Sequence, residues 1–117
     1  MATRDAVSDL IRGNIDATVL NVLADGDNYG YEILKSVAAK SQGEYEMKEP
    51  SLYTSLKRLE KHGHVESYWG DETQGARRKY YHITDAGSLE LEESRARWDA
   101  VRKIIDRLLS RDGEDHE

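Results

Sequence analysis

The positive charge of this 117-residue chain is densest at three consecutive residues, Arg77, Arg78 and Lys79. Adjacent cations repel one another unless an anion balances them, and the phosphates of DNA are anions that suit such a patch. We therefore predict that these three residues bind phosphate or reach into a minor groove. An ordinary solvated loop tip is the alternative interpretation.

A second polar and cationic surface is predicted on the segment that begins at Pro50. Its apolar residues Leu52, Leu56 and Leu59 recur at helical spacing, so one stripe of a helix faces a core. A helix tolerates proline in its first turn and often ends before a glycine, which fits Pro50 and Gly63. The face opposite the apolar stripe carries Thr54, Lys57, Arg58 and Lys61.

Two short runs of β-branched and aromatic residues follow this helix, Val65–Trp69 and Lys79–Ile83. The segment between them contains Gly70 and Gly75, so the runs predict a β-hairpin whose tip leads into the cationic patch. A helix with an exposed polar face, followed by a hairpin with a basic tip, is typical of a winged helix-turn-helix. Such a fold places the helix in a major groove of DNA.

The predicted DNA-binding surface combines the helix face with the hairpin tip. Thr54 and Arg58 are assigned to base edges, and a dimer would read half-sites roughly 34 Å apart. Tyr29 opens an earlier helix, where its hydroxyl could meet a phosphate, although simple packing explains it equally well. The full predicted set is Tyr29, Ser51, Tyr53, Thr54, Lys57, Arg58, Lys61, Arg77, Arg78 and Lys79.

Two further helices are predicted before this surface. Apolar residues at helical spacing indicate one helix over residues 5–24, ended by Gly26. Asp27 or Asn28 is expected to cap a second helix that runs out near Gly43. The second helix is expected to bury Ile33, Leu34, Val37 and Ala38. Residues 44–47 alternate polar and apolar side chains, which predicts a very short strand.

The last predicted helix begins after Thr84, a suitable N-cap, and runs to about Arg111. Its apolar stripe has the spacing of a heptad seam, with Ser94 inside it and with Ile104 and Leu109 widening it. Either this stripe folds back on its own domain, or a second copy of the chain covers it, which we favour. The predicted dimer-interface residues are Leu91, Trp98, Val101, Ile105 and Leu108.

The predicted fold is mainly α with a small β-hairpin. Residues 1–83 form a winged helix-turn-helix domain whose first helix also contributes to the dimer interface. Residues 84–111 form a C-terminal dimerisation helix, and residues 112–117 form a disordered acidic tail. The sequence has no apolar run that spans a bilayer and no signal peptide, so we expect a cytoplasmic protein without membrane contact.

Composition narrows the classes of function. The chain has no cysteine, which excludes disulfides, thiolate metal sites and a cysteine nucleophile. No glycine-rich phosphate loop or zinc-ligand spacing occurs, so we predict no enzyme, cofactor or metal site. The net charge is −6, but residues 48–82 carry seven Lys or Arg and five acids, a local +2. A DNA-binding regulator is therefore favoured over a dimeric adaptor that binds only protein.

The chain resembles the PadR family of bacterial winged-helix transcriptional regulators, particularly its short multidrug-binding members. The matching segments are residues 20–23 (LNVL), 26–29 (GDNY), 51–54 (SLYT), 58–60 (RLE), 67–72 (SYWGDE), 74–75 (QG), 77–81 (RRKYY), Trp98 and 103–105 (KII). The resemblance implies a homodimer joined by terminal helices and a repressor that often controls an efflux or stress gene. It also implies that Trp98 and its symmetry mate flank a flat cavity where planar aromatic drugs stack.

The ligand site that this resemblance implies comprises Leu10, Gly13, Asp16, Ala17, Ser94, Trp98 and Arg102. Arg102 stands where multidrug-binding members carry an acid, and Arg95 and Arg97 precede it. Anionic or neutral aromatic compounds are therefore expected to bind as well as cationic ones. A simple role for Trp98 as an interface residue is compatible with ligand stacking and remains the alternative.

Overall fold

The computed structural model of the chain describes residues 4–70 and 77–111. The predicted disordered tail at residues 112–117 and the predicted turn residue Gly75 lie outside the described residues. The described part consists mostly of helices, with one small antiparallel sheet. The structure thus confirms the predicted fold class, a mainly helical winged helix with a long C-terminal helix.

The N-terminal segment forms two helices rather than the single helix predicted over residues 5–24. α1 spans Arg4–Ile11, a 3-10 turn spans Arg12–Asn14, and α2 spans Ile15–Ala24. The prediction was wrong because it gave no weight to Gly13, which costs about 1 kcal/mol relative to alanine inside a helix. Asn14 adds to the break, since its Nδ2 donates to the Leu10 carbonyl at 3.2 Å.

A two-residue strand, β1 (Asn28–Tyr29), precedes the next helix, α3 (Gly30–Lys40). Neither Asp27 nor Asn28 caps α3, contrary to the prediction. The N-cap position is Tyr29, whose backbone is extended and whose side chain makes no capping bond. The Asn28 Oδ1 instead accepts a hydrogen bond from the Tyr29 N–H at 3.0 Å. Asn28 instead belongs to a strand that pairs with β3, and Asp27 directly precedes that strand.

The strand predicted at residues 44–47 does not form. Its side chains alternate as expected, with Tyr45 and Met47 buried. However, the Ser41 hydroxyl accepts from the Tyr45 N–H at 3.0 Å and donates to the Tyr45 carbonyl at 3.1 Å. A side chain thus satisfies the backbone groups that a neighbouring strand would need. α3 ends at Lys40, before the predicted end near Gly43.

The next three elements form where the sequence predicts them: α4 (Glu49–Lys61), β2 (Val65–Trp69) and β3 (Lys79–Ile83). Gly63 follows α4 with a φ of +77°, a left-handed conformation that glycine adopts at low cost. β2 and β3 pair antiparallel, with Ser67 opposite Tyr81. β1 pairs with the other edge of β3, which gives the strand order β1-β3-β2.

The hydrophobic core lies among α2, α3, α4, the sheet and the start of the last helix. Its largest fully buried apolar side chains are Leu20, Leu23, Ile33, Leu52, Leu56, Leu59, Val19 and Val65. The predicted apolar stripe of α4 is therefore buried in full. Of the two adjacent tyrosines of β3, Tyr81 is buried in this core and Tyr80 is half-buried.

The last helix, α5 (Asp85–Leu109), begins as predicted. The Thr84 hydroxyl accepts from the Gly87 N–H at 3.0 Å, which caps the helix. Leu91 is buried in the core of its own chain, whereas large apolar side chains from Trp98 onward are exposed. Among the described residues, no helix combines the length and the apolar character needed to cross a membrane.

Candidate nucleic-acid interface

The exposed face of α4 carries most of the side chains predicted to contact DNA. Thr54, Lys57 and Lys61 are exposed, and Ser51 is half-buried in the first turn of the helix. The opposite face is held by the buried leucine stripe, so the core fixes which residues of α4 face outward. This surface offers hydroxyl donors and two ammonium groups to an anionic groove.

A cleft of about 400 Å³ joins α4 to the sheet and to the start of α3. Four of the residues predicted to bind DNA line it: Tyr29, Tyr53, Arg78 and Lys79. A Cβ atom at Gly30 would lie 2.2 Å from the Tyr53 hydroxyl oxygen, so a larger residue there would displace the Tyr53 side chain from its place against α3. The cleft thus gathers residues that lie far apart in sequence into one polar and cationic surface.

Each residue of the cationic patch lies over an aromatic ring. The distances from cation to ring centroid are 5.5 Å for Arg77 and Trp69, 4.5 Å for Arg78 and Tyr29, and 5.9 Å for Lys79 and Tyr81. These contacts offset part of the repulsion between the adjacent charges and restrict the side chains before any DNA binds. A restricted side chain loses less conformational entropy on binding, which favours contact with an anionic partner.

Arg58, predicted to contact base edges, forms an ion pair within its own chain. Its Nε and Nη2 donate to the two carboxylate oxygens of Asp16 at 2.8 and 2.6 Å. The fully buried Ser55 donates its hydroxyl proton to the same carboxylate at 2.7 Å. Burial by itself raises the pKa of Asp16, but the hydrogen bonds from Arg58 and Ser55 lower the pKa below its usual value. The guanidinium of Arg58 is therefore already bound to a carboxylate of its own chain, unlike the ammonium groups of Lys57 and Lys61 on the same helix.

The outer face of the sheet holds a second carboxylate with two partners. Asp27 accepts from the Tyr68 hydroxyl at 2.6 Å, and its other oxygen lies 2.8 Å from His82 Nδ1. The hydrogen bond from Tyr68 is the main cause of a lowered pKa at Asp27, and His82 adds to it. The bond to Asp27 raises the pKa of His82. These contacts connect the residue before β1 with β2 and β3.

The model of the Transcriptional regulator PadR-like family matches residues 19–93, which include the helices and the sheet that form this surface. The chain belongs to this family. PadR-like regulators bind DNA, typically assemble as dimers, and are generally not enzymes.

Two solved structures and one sequence relative are similar to this PadR-like chain. A transcriptional regulator from Clostridium thermocellum is 41% identical with a TM-score of 0.81, over 88% of this chain and 97% of that one. A PadR family transcription regulator from Clostridium difficile is 35% identical with a TM-score of 0.71, over 82% and 98% of the two chains. An uncharacterized protein from Lysinibacillus sphaericus is 40% identical over 87% of this chain and 94% of its own length.

Two cavities meet at Trp98 in this PadR-like chain, between α5 and the N-terminal helices. One cavity, of about 550 Å³, has the more apolar lining. Four of the residues predicted to bind ligand line it: Leu10, Ala17, Ser94 and Trp98. The other cavity, of about 580 Å³, is more polar and adds two more of them, Gly13 and Asp16. Arg102 lines neither cavity, since it pairs with Asp99 and Asp106 on α5.

Sequence reasoning missed several residues that line the apolar cavity. Arg95 Nη2 donates to Asn21 Oδ1 at 2.5 Å across the space between α5 and α2. Tyr45, from the loop after α3, and Lys40 also line this cavity. Asn21 gave a usable signal, because it is a polar residue inside the apolar run of α2. The position of Tyr45 gave none, because it depends on how the loop folds back on α3.

Proposed function

We propose that this PadR-like protein is a homodimeric regulator that inserts α4 into the major groove and contacts the flanking phosphates through the cationic patch at the start of β3. The cleft that joins Tyr29, Tyr53, Arg78 and Lys79 carries this proposal. It unites two phenol side chains, a guanidinium and an ammonium on one surface, a donor set that suits a DNA backbone. Ser51, Thr54, Lys57 and Lys61 then face the groove from the exposed side of α4.

The double variant Arg77→Ala/Arg78→Ala tests this proposal on a labelled duplex from upstream of the protein's own gene. We expect weaker binding to this duplex and to an unrelated one, because phosphate contacts are independent of sequence. The slope of log affinity against log salt should fall by about one unit per lost phosphate contact. Fluorescence anisotropy at several salt concentrations measures both quantities.

A matched control removes the same charge elsewhere. The variant Lys103→Ala/Arg107→Ala also loses two cations, on the exposed distal part of α5. We expect it to keep the wild-type salt slope, provided that sedimentation shows an unchanged assembly state. Equal slopes for wild type and the Arg77/Arg78 variant would contradict the assignment of the cationic patch to DNA.

The exposed apolar face of α5 supports the homodimer. Val101, Ile105 and Leu108 are 45%, 38% and 76% exposed in the single chain. Such a face on a helix of 25 residues, about 37 Å long, is costly to leave in water. A second copy of the chain would cover it and would place two α4 helices on a two-fold operator.

The cavities beside Trp98 support control by a small molecule, with the protein as a repressor released by a planar aromatic compound. A volume of about 550 Å³ is suited to a drug-sized ligand, and its lining is largely apolar. Trp98 lines both cavities and supplies a flat surface for stacking. A ligand shared by two subunits changes DNA affinity only as far as it binds one dimer geometry better than another.

A further inference from the structure

We infer that Arg58 is a positioning residue, which fixes the orientation of α4 through Asp16 instead of contacting bases itself. This inference rests on the proposed DNA-binding function and concerns one residue of that same surface. Arg58 follows Ser55 by one helical turn, so both reach the same carboxylate on α2. α4 is thereby joined by three hydrogen bonds to a single residue of α2.

The geometry favours the ion pair over a contact with bases. Arg58 uses two nitrogens of its guanidinium on both oxygens of Asp16, a bidentate arrangement that is among the strongest hydrogen-bonded pairs in proteins. A bidentate contact with guanine would need the same donors, so the pair would have to break first. Breaking it would leave a carboxylate that is only 35% exposed without its cation.

The position of Asp16 gives this pair a second consequence. Asp16 lies in the first turn of α2, directly after the 3-10 turn, and lines the polar cavity together with Trp98 and Val101. The same carboxylate therefore touches α4 on one side and the proposed dimer and ligand face on the other. A change at that face that moves the start of α2 moves Asp16, and α4 with it.

The variant Asp16→Asn separates base contact by Arg58 from a positioning role, because the two predict opposite changes in affinity for the operator. If Arg58 contacts bases, the substitution frees its guanidinium and removes an anion near DNA, so affinity for the operator rises. If Arg58 positions α4, operator affinity falls about tenfold, the size expected for a residue that couples two sites. Affinity for an unrelated duplex should not fall, because binding to DNA of unrelated sequence depends on charge and not on base contacts.

Asp9→Asn is the matched control. Asp9, on α1, pairs at 3.0 Å with Arg12 of the 3-10 turn, and both side chains are largely exposed. The substitution therefore removes the same charge without touching α4. We expect its operator affinity to match or slightly exceed that of wild type. If Asp16→Asn behaves like this control or binds more tightly, the positioning role is overturned.

Two further measurements keep the inference testable if Asp16→Asn folds poorly. Asp16→Glu keeps the charge but changes the length of the side chain. The positioning role therefore predicts weaker operator binding, whereas base contact by Arg58 predicts unchanged operator binding. A double-mutant cycle of Arg58→Ala and Asp16→Ala should show that the second substitution adds little to the first. Additive losses would overturn the inference. The Arg77/Arg78 variant, measured on the same duplex, shows separately whether the DNA surface itself is correctly placed.

Discussion

The two halves of α5 lie in opposite environments. The first half packs on its own chain: Leu91 is 3% exposed, and Gly87 meets the carbonyl of His64 so closely that a Cβ would lie 2.1 Å from that oxygen. The second half is bare, with Leu108 and Leu109 at 76% and 80% exposure. A single chain thus completes the surface proposed to contact DNA, whereas the face proposed to set the spacing of two such surfaces needs another molecule.

The largest effect is expected from Val101→Glu, which disrupts the proposed dimer interface on the exposed second half of α5. A carboxylate buried in an apolar helix seam costs several kcal/mol, enough to weaken dimer association more than a hundredfold. Binding to a two-fold operator should be lost with it, because one subunit contacts only one half-site. Sedimentation at several protein concentrations and anisotropy on the operator measure the two effects.

A substitution at a neighbouring position of the same half controls for a general effect of new charge. Ala100→Glu adds the same carboxylate to an exposed position adjacent to Val101 on α5, outside the predicted apolar seam. We expect this variant to stay dimeric and to bind the operator. A dimeric Val101→Glu protein would show that the interface lies elsewhere and that the exposed apolar face needs another explanation.

The substitution Gly87→Ala disrupts the packing of the first half of α5 on its own chain. The added methyl group would collide with the His64 carbonyl oxygen and would lie 2.9 Å from Ile83 Cγ1, so α5 must move away from the sheet. Overpacking against backbone costs about 3 kcal/mol, which exceeds the gain of about 1 kcal/mol from replacing glycine in a helix. Urea unfolding should show this loss of stability.

Gly13→Ala is the comparison for Gly87→Ala. A Cβ at Gly13 meets no atom within 4 Å, and this glycine has no positive φ. The substitution should leave stability unchanged or raise it slightly, because it only restricts the unfolded chain. Equal stabilities for the two variants would mean that α5 does not pack tightly on His64.

Trp98 stands at the boundary between the two halves, and its replacement should have an intermediate effect. In a Trp69→Phe background, Trp98 is the only tryptophan, so quenching of its fluorescence reports on the cavities alone. We expect a planar aromatic cation and a planar aromatic carboxylate each to quench it, since Arg102 pairs with two acids.

The same compounds should bind to Trp98→Ala about tenfold more weakly in calorimetry, the loss expected when an aromatic stacking surface is removed. DNA binding without ligand should persist, provided that the dimer remains. If neither compound quenches Trp98 in the parent protein, the residue serves only in the interface and control by a small molecule is excluded for these classes.

Short-range sequence patterns correctly predicted the helix, strands and helix cap that depend on neighbouring residues. The leucine stripe of α4, the two strands of the hairpin and the Thr84 cap depend on neighbours within a few residues, and each formed as predicted. Gly13 was also a local signal, and weighing its cost would have placed the break between α1 and α2.

Contacts between residues far apart in sequence could not be predicted from these patterns. Arg58 and Asp16 are 42 positions apart, and the exposed face of a helix gives no sign of which arginine has a partner. The pairing of β1 with β3 likewise depends on how distant segments pack. The sequence alone therefore predicted the surface that we propose binds DNA, but it assigned Arg58 a role that the ion pair argues against.

The smallest effect is expected at His82, on the outer face of the sheet. The bond to Asp27 raises the pKa of His82 above 6.5, its ordinary value. A raised pKa means that the stabilising contribution is complete below the unfolded value and disappears as pH rises through the folded value. The Asp27 pKa is lowered, first by the bond from Tyr68 and then by the one from His82, so its contribution is lost only at acidic pH, below 3.8.

Wild type should therefore exceed His82→Gln in free energy of unfolding at about pH 5.5 and match it at about pH 8.5, a window set by these two shifts. The difference should be small, because the His82 side chain is 50% exposed and solvent screens the pair. Asp27→Asn should remove the same pH dependence, whereas Tyr68→Phe should keep it, since Tyr68 bonds to the other carboxylate oxygen. Equal differences between wild type and His82→Gln at both pH values would show that the ion pair adds nothing to the stability of the sheet, which would then depend on strand pairing and the core alone.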